Sequence, residues 1–117
     1  DGLPFSDLRS TLDSPYAALD EYTGCDADQD ESGPEFLYRI VVDEPTTVRA
    51  MVFDRGSVDI DVHLLGEMPT VESCVDRAHT EIIAELDPGA HYFSLDTFVS
   101  SSGRENAGEY LFVLVRE

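Results

Sequence analysis

The stretch Ser57-Val-Asp-Ile-Asp-Val-His-Leu-Leu65 decides the architecture. From Val58 it alternates: Val58, Ile60, Val62 and Leu64 fall on one side, Asp59, Asp61 and His63 on the other. A period of two with β-branched residues on one side predicts a half-buried strand. The apolar side demands a core. The other side lines up two carboxylates and an imidazole, next-but-one neighbours about 6–7 Å apart along the strand. That is either a solvated face or the start of a cation site.

Working outward, five more segments read as strands: Phe36–Asp43, Thr46–Asp54, Thr80–Leu86, Ala90–Val99 and Glu109–Arg116. Glu44-Pro45, Arg55-Gly56 and Asp87-Pro88-Gly89 punctuate them as turns. Short strands at this spacing predict an all-β fold, an antiparallel β-sandwich. Upstream, residues 1–24 form an N-terminal extension docked on a domain that runs from 25 to 117. Ser14-Pro15 is placed to start a short helix over Tyr16–Tyr22 with Gly24 just past its end; otherwise the segment is irregular.

The chain has 117 residues, enough for one domain. It contains no apolar run long enough for a membrane-spanning helix. Asp1 follows no basic-then-apolar leader, so the expectation is a mature exported protein or an excised domain. Twenty-five acids against seven bases, every one an Arg, give a formal charge of −18. Such a field argues against nucleic acid and against anionic membrane surfaces. It attracts cations and strains the compact state by self-repulsion, which bound divalent ions would relieve. Solubility or a salty environment explains the same charge without any site.

Cys25 and Cys74 have neither CxxC spacing nor companion zinc ligands. In an exported chain they pair as one disulfide; in a cytosolic one they are two buried thiols.

On the fifth predicted strand, Asp96 shares its side with Tyr92 and Ser94, opposite Phe93 and Leu95. If that strand neighbours the organising one, Asp59, Asp61 and Asp96 converge as oxygen ligands for Ca²⁺, with His63 beside them. The alternative is that these acids bond to Arg or to loop amides. Asp26, Asp28 and Asp30 imitate the first ligands of an EF-hand, but Glu31 stands where its Gly belongs and Leu37 where its final acid belongs. They remain a looser calcium loop or a solvated one. His63, His79 and His91 show no HExxH arrangement, and no GxSxG elbow is present. Tyr92 and Tyr110, with Tyr38, Phe98 and His63, supply a binding platform if they face outward, and core packing if they do not.

Several pieces in order look familiar: Cys25, Glu31-Ser-Gly-Pro-Glu-Phe-Leu-Tyr-Arg39, Val58–Leu65, Cys74-Val-Asp-Arg77, Leu86-Asp-Pro-Gly-Ala-His-Tyr92, Asp96 and Gly108-Glu-Tyr110. This order resembles the bacterial pre-peptidase C-terminal domain, related to the collagen-binding domains of secreted bacterial collagenases. The resemblance implies a jelly-roll-like sandwich and a secreted, extracellular, cell-surface or periplasmic location. It also implies a non-catalytic accessory module for targeting, attachment or substrate binding, with polysaccharide, peptidoglycan or a protein surface as partner. Calcium at Asp59, Asp61 and Asp96 is the cofactor it suggests. Two other readings stand beside it: a metal-assisted hydrolase using Asp59, Asp61, His63 and Asp96, and a passive structural domain.

Overall fold

The computed structural model describes residues 2–117; Asp1, on which the expectation of a mature N-terminus rests, lies outside the described residues. Eight strands are present: β1 (Phe5–Ser10), β2 (Glu35–Val42), β3 (Thr46–Phe53), β4 (Ile60–Gly66), β5 (Asp76–Ala78), β6 (Glu81–Leu86), β7 (Gly89–Thr97) and β8 (Glu109–Arg116). They form two antiparallel sheets of order β1-β8-β3-β6 and β2-β7-β4-β5. The pairs β1/β8, β2/β7, β3/β6 and β4/β5 are nested, as in one long hairpin rolled over on itself. That is the jelly-roll arrangement. No helix among the described residues is long and apolar enough to cross a membrane.

The core lies between the sheets. Val48, Ala50 and Val52 of β3 and Phe112 and Leu114 of β8 face Ile60, Val62 and Leu64 of β4 and Phe93 and Leu95 of β7, all buried. The period-two pattern thus puts the predicted side of the organising strand inward. The strand starts at Ile60, because Asp54 accepts a hydrogen bond from the Ile60 amide at 2.8 Å and closes the preceding turn. Its other side is not solvated: β4 is buried on both faces. An irregularity between Leu64 and Gly66 lets Leu65 turn away from the core and join a second cluster with Tyr22, Ala27 and Cys74.

Three expectations change. No helix forms over Tyr16–Tyr22. Instead that segment runs against the start of β2: Glu35 donates its amide to the Tyr16 carbonyl, and its carboxylate accepts from the Ala18 and Leu19 amides at 2.7 Å each. A two-turn helix is marginal alone, and these bonds satisfy the backbone without one. Residues 1–24 are likewise no mere extension, since β1 is an edge strand of the sandwich. It escaped detection because Phe5-Ser-Asp-Leu-Arg-Ser10 lacks alternation, being largely exposed. β5 is too short and polar to show any period.

Cys25 and Cys74 are bonded, with Cα atoms 5.0 Å apart, so the alternative of two free thiols falls. The link joins the turn Thr23–Cys25 to the turn Val71–Ser73, which approach so closely that a Cβ on Gly24 would strike the Glu72 carbonyl and the Cys74 amide. Because those are backbone atoms, Gly24→Ala is expected to destabilise the domain by about 1–3 kcal/mol, as overpacked sites do. Urea denaturation of the oxidised protein measures it, and an unchanged midpoint would mean that the two turns are not held against each other.

Candidate functional site

The outer face of the sheet β2-β7-β4-β5 carries the residues that the sequence singled out. The pairing sets Asp61 opposite Asp96 and His63 opposite Ser94 on β4 and β7, and Arg77 of β5 opposite His63. Alternation then sends Asp61, His63, Ser94, Asp96 and Arg77 to the same side. Over them lies the chain between β1 and β2, which supplies Tyr22 and Glu31. Asp61, His63, Ser94 and Asp96 have no exposed surface, and Glu31 only 1%.

Two groups of contacts make up this interior. In the first, the Tyr22 ring stacks on His63 with centroids 3.7 Å apart and planes 11° from parallel. Its hydroxyl donates to Asp96 Oδ2 at 2.6 Å and lies 2.7 Å from Ser94 Oγ, while Asp96 Oδ1 accepts from the Thr97 amide at 2.8 Å. In the second, the Arg77 guanidinium sits 2.8 Å from Asp61 Oδ2 and 3.4 Å from Glu31 Oε2. Glu31 Oε2 is also 3.4 Å from His63 Nε2, and His79 Nδ1 is 2.8 Å from Asp61 Oδ1.

Electrostatics follows from the count. Three carboxyls, Glu31, Asp61 and Asp96, with the buried Glu35 beside Asp96, face one guanidinium, the partly buried Arg77, and an unpaired buried charge is too costly to keep. Burial accordingly raises Asp96 to about 10, with the acids Glu35 and Glu31 adding to the rise against the Tyr22 hydrogen bond. Burial raises Glu31 to about 7 and Asp61 to about 6, the closeness of Glu31 adding to the rise at Asp61 against the Arg77 guanidinium. Burial lowers His63 to about 4, so the imidazole is neutral at pH 7 and its closeness to Glu31 is not an ion pair. The site is a set of mostly neutral polar groups around one charged pair, Arg77 with the Asp61/Glu31 dyad.

This arrangement does not assemble the three-aspartate calcium set. Asp96 is committed to Tyr22 and Thr97. Among the described residues, the group with ligand atoms within 4.8 Å of one another is Asp59, Asp61 and His79, so His79 takes the place expected of Asp96. Arg77 already neutralises Asp61, and calcium needs six to eight oxygens. Asp59, Asp61 and His79 offer two carboxylates and one imidazole, which is not the all-oxygen set that calcium takes. Asp26, Asp28 and Asp30 lie in an exposed loop and are not in that group; Asp30 caps its own turn by accepting from the Ser32 amide and hydroxyl.

Among the described residues, Tyr92, Tyr110 and His63 do not form an outward aromatic platform either. Tyr110 is a core residue whose hydroxyl lies 2.6 Å from that of Tyr38. Tyr92 packs partly buried against the cluster beneath the disulfide, and His63 lies under Tyr22. His91 Nε2 rests 2.6 Å from the Asp87 carbonyl. Reading the sequence missed Tyr22, Glu31, Arg77 and His79 as members of the site. Arg77 alone left a signal: in a chain of twenty-five acids and seven Arg, each Arg is a scarce counter-charge.

No protein-family model matches the chain, and no curated protein matches it.

Two outcomes follow from the charge count. A carboxyl raised in the folded state stabilises the protein at acid pH, and that stability is lost as pH climbs toward the raised value. Glu31 and Asp61 lose theirs by about pH 7 and Asp96 by about pH 10. His63, lowered to about 4, has the opposite sign, its stability being lost as pH falls below 6.5. Three groups outweigh one, so the melting temperature is expected to fall steadily between pH 5 and pH 9. Asp96→Asn imitates the protonated acid; it should match the parent at pH 5 and exceed it at pH 8.5 by at least about 1.4 kcal/mol, the worth of one pKa unit. A variant weaker than the parent at both pH values would show Asp96 to be ionised. Separately, calcium should raise the melting temperature no more than sodium chloride of equal ionic strength. A rise of several degrees that chelator reverses would restore a calcium site.

Proposed function

We propose that this chain is a non-catalytic accessory module of an exported bacterial protein, serving attachment or targeting to a polymer or protein surface. The observation that carries the reading is the closure of the polar face. Of the four residues a hydrolase would use, Asp61, His63 and Asp96 have no exposed surface and sit beneath a covering segment that the Cys25–Cys74 bond holds down, and only Asp59 is half-buried at its rim. Substrate has no access to them there, and a general base or metal-bound water needs contact with the reacting group. Buried carboxyls engaged with Arg77 and Tyr22 act as a latch between cover and sheet.

Two further points support it. The ordered motifs that resemble the pre-peptidase C-terminal domain sit in a jelly-roll sandwich, the architecture that resemblance implies. Structural disulfides belong to oxidising compartments, in keeping with export. Fold architecture alone is a weak guide to function, so the binding test decides.

The purified oxidised chain is expected to sediment with insoluble peptidoglycan, with an insoluble polysaccharide or with immobilised protein from a bacterial surface, in a saturable way. It should release no soluble fragment from any of them. Release of product that is lost in Asp61→Ala, with the fold retained, would establish the hydrolase instead. Failure to bind any of the three surfaces would leave a passive structural domain.

A further inference from the structure

We infer that the free edge of β2 is a docking site for a basic, extended peptide with apolar residues at alternate positions. This deepens the attachment reading and rests on it. β2 ends its sheet. The Glu35 amide points away from β7, since it donates to the Tyr16 carbonyl, and the Glu35 carbonyl accepts from Ser14 Oγ on the same side. In an antiparallel ladder every second residue turns both backbone groups the same way. Leu37, Arg39 and Val41 therefore aim their amides and carbonyls outward, and no bond from the described residues meets them on that side. The chain's own segment covers the first rung of this edge and leaves the next three open.

The surroundings fit a strand. Edges are normally guarded by charge; of the three open rungs only Arg39 carries one, and Leu37 and Val41 on either side of it are 46% and 40% exposed. Along 38–41 the seam between β1 and β2 opens into a pocket of about 340 Å³ walled by Phe5, Ile40, Phe93 and Phe112. Backbone pairs repeating every second residue select a polypeptide over a sugar, and a pocket on one side selects apolar groups at alternate positions. Charge selects the partner. A second copy would bring a formal −18 against −18, whereas a basic peptide gains from the same field. Arg39, with no acid or hydrogen-bond partner among the described residues, calls for an uncharged or acidic residue directly across from it.

The probe is a fluorescein-labelled nonapeptide of alternating Lys and Val with a central Thr. Its anisotropy is expected to saturate with the oxidised chain, with amide shifts at Leu37, Arg39 and Val41. Methylating alternate backbone nitrogens on its pairing edge should weaken binding at least tenfold, as should replacing its Lys by Glu. Arg39→Pro removes an outward amide that the sheet does not use, and Leu37→Lys with Val41→Lys guards the edge without altering the backbone; each should weaken binding at least tenfold. Equal binding by the methylated peptide, shifts confined to another face, or pairing of two copies through this edge would overturn the proposal. Surface capture that survives in both variants would also overturn it while leaving the attachment reading intact. Peptide binding without capture by any surface would sink that reading and not this one.

Discussion

Glu31, Asp61 and Asp96 bring three carboxyls into an interior met by one guanidinium, that of the partly buried Arg77, and the rest of the outer layer follows from that imbalance. Water is excluded, so charge must be matched or removed. Arg77 matches one carboxylate. Protons remove the others, at Asp96 and across the Glu31–Asp61 pair, and His63 gives up its own proton for the same reason. Glu31 belongs to the cover while Asp61 and Arg77 belong to the sheet, so the charge balance exists only when the two layers are together. A latch of this kind contributes orientation as much as stability, since buried ion pairs return little beyond their desolvation cost.

The Cys25–Cys74 bond and the Tyr22–His63 stack act on the same cover from its other end. In the entropic account, closing a loop of that length stabilises by on the order of 4 kcal/mol. This matters in a chain whose surface charge opposes compaction. The apolar cluster beneath the bond, Tyr22, Ala27, Leu65 and Cys74, is small. It is the bond and the polar contacts together that let a segment with little regular structure serve as a third layer over the sandwich. With that face closed, the surfaces left for recognition are the rims and edges, among them the open rungs of β2.

Much of the sandwich was legible because period-two alternation survives wherever one face is buried. Phe36–Val42 and Ile60–Leu64 both show it, and their inward residues are those that the alternation marks; Tyr110–Leu114 reads as a strand only because it is apolar throughout. β1 and β5 were not legible, for an edge strand and a three-residue strand bury too little to leave a pattern. The segment Tyr16–Tyr22 misled because Ser-Pro and a following Gly are local helix signals, while the partner that satisfies its backbone, Glu35, lies far along the chain. Asp61 opposite Asp96 was reachable from parity once the strands were assumed adjacent. Which groups face them was not: Tyr22, Glu31, Arg77 and His79 reach the site from a cover, a short strand and a loop.

By itself, then, the sequence determined the class of fold, the inward side of the strands that alternate and the acidity of the whole, since composition and local periodicity act through nearest neighbours. Only the tertiary structure decided that the polar side of the organising strand is buried and not solvated. It also decided that Asp96 meets the Tyr22 hydroxyl, and that two cysteines 49 positions apart meet. Each of those depends on segments distant in sequence arriving on one sheet face, where burial makes a carboxyl either find a counter-charge or keep its proton.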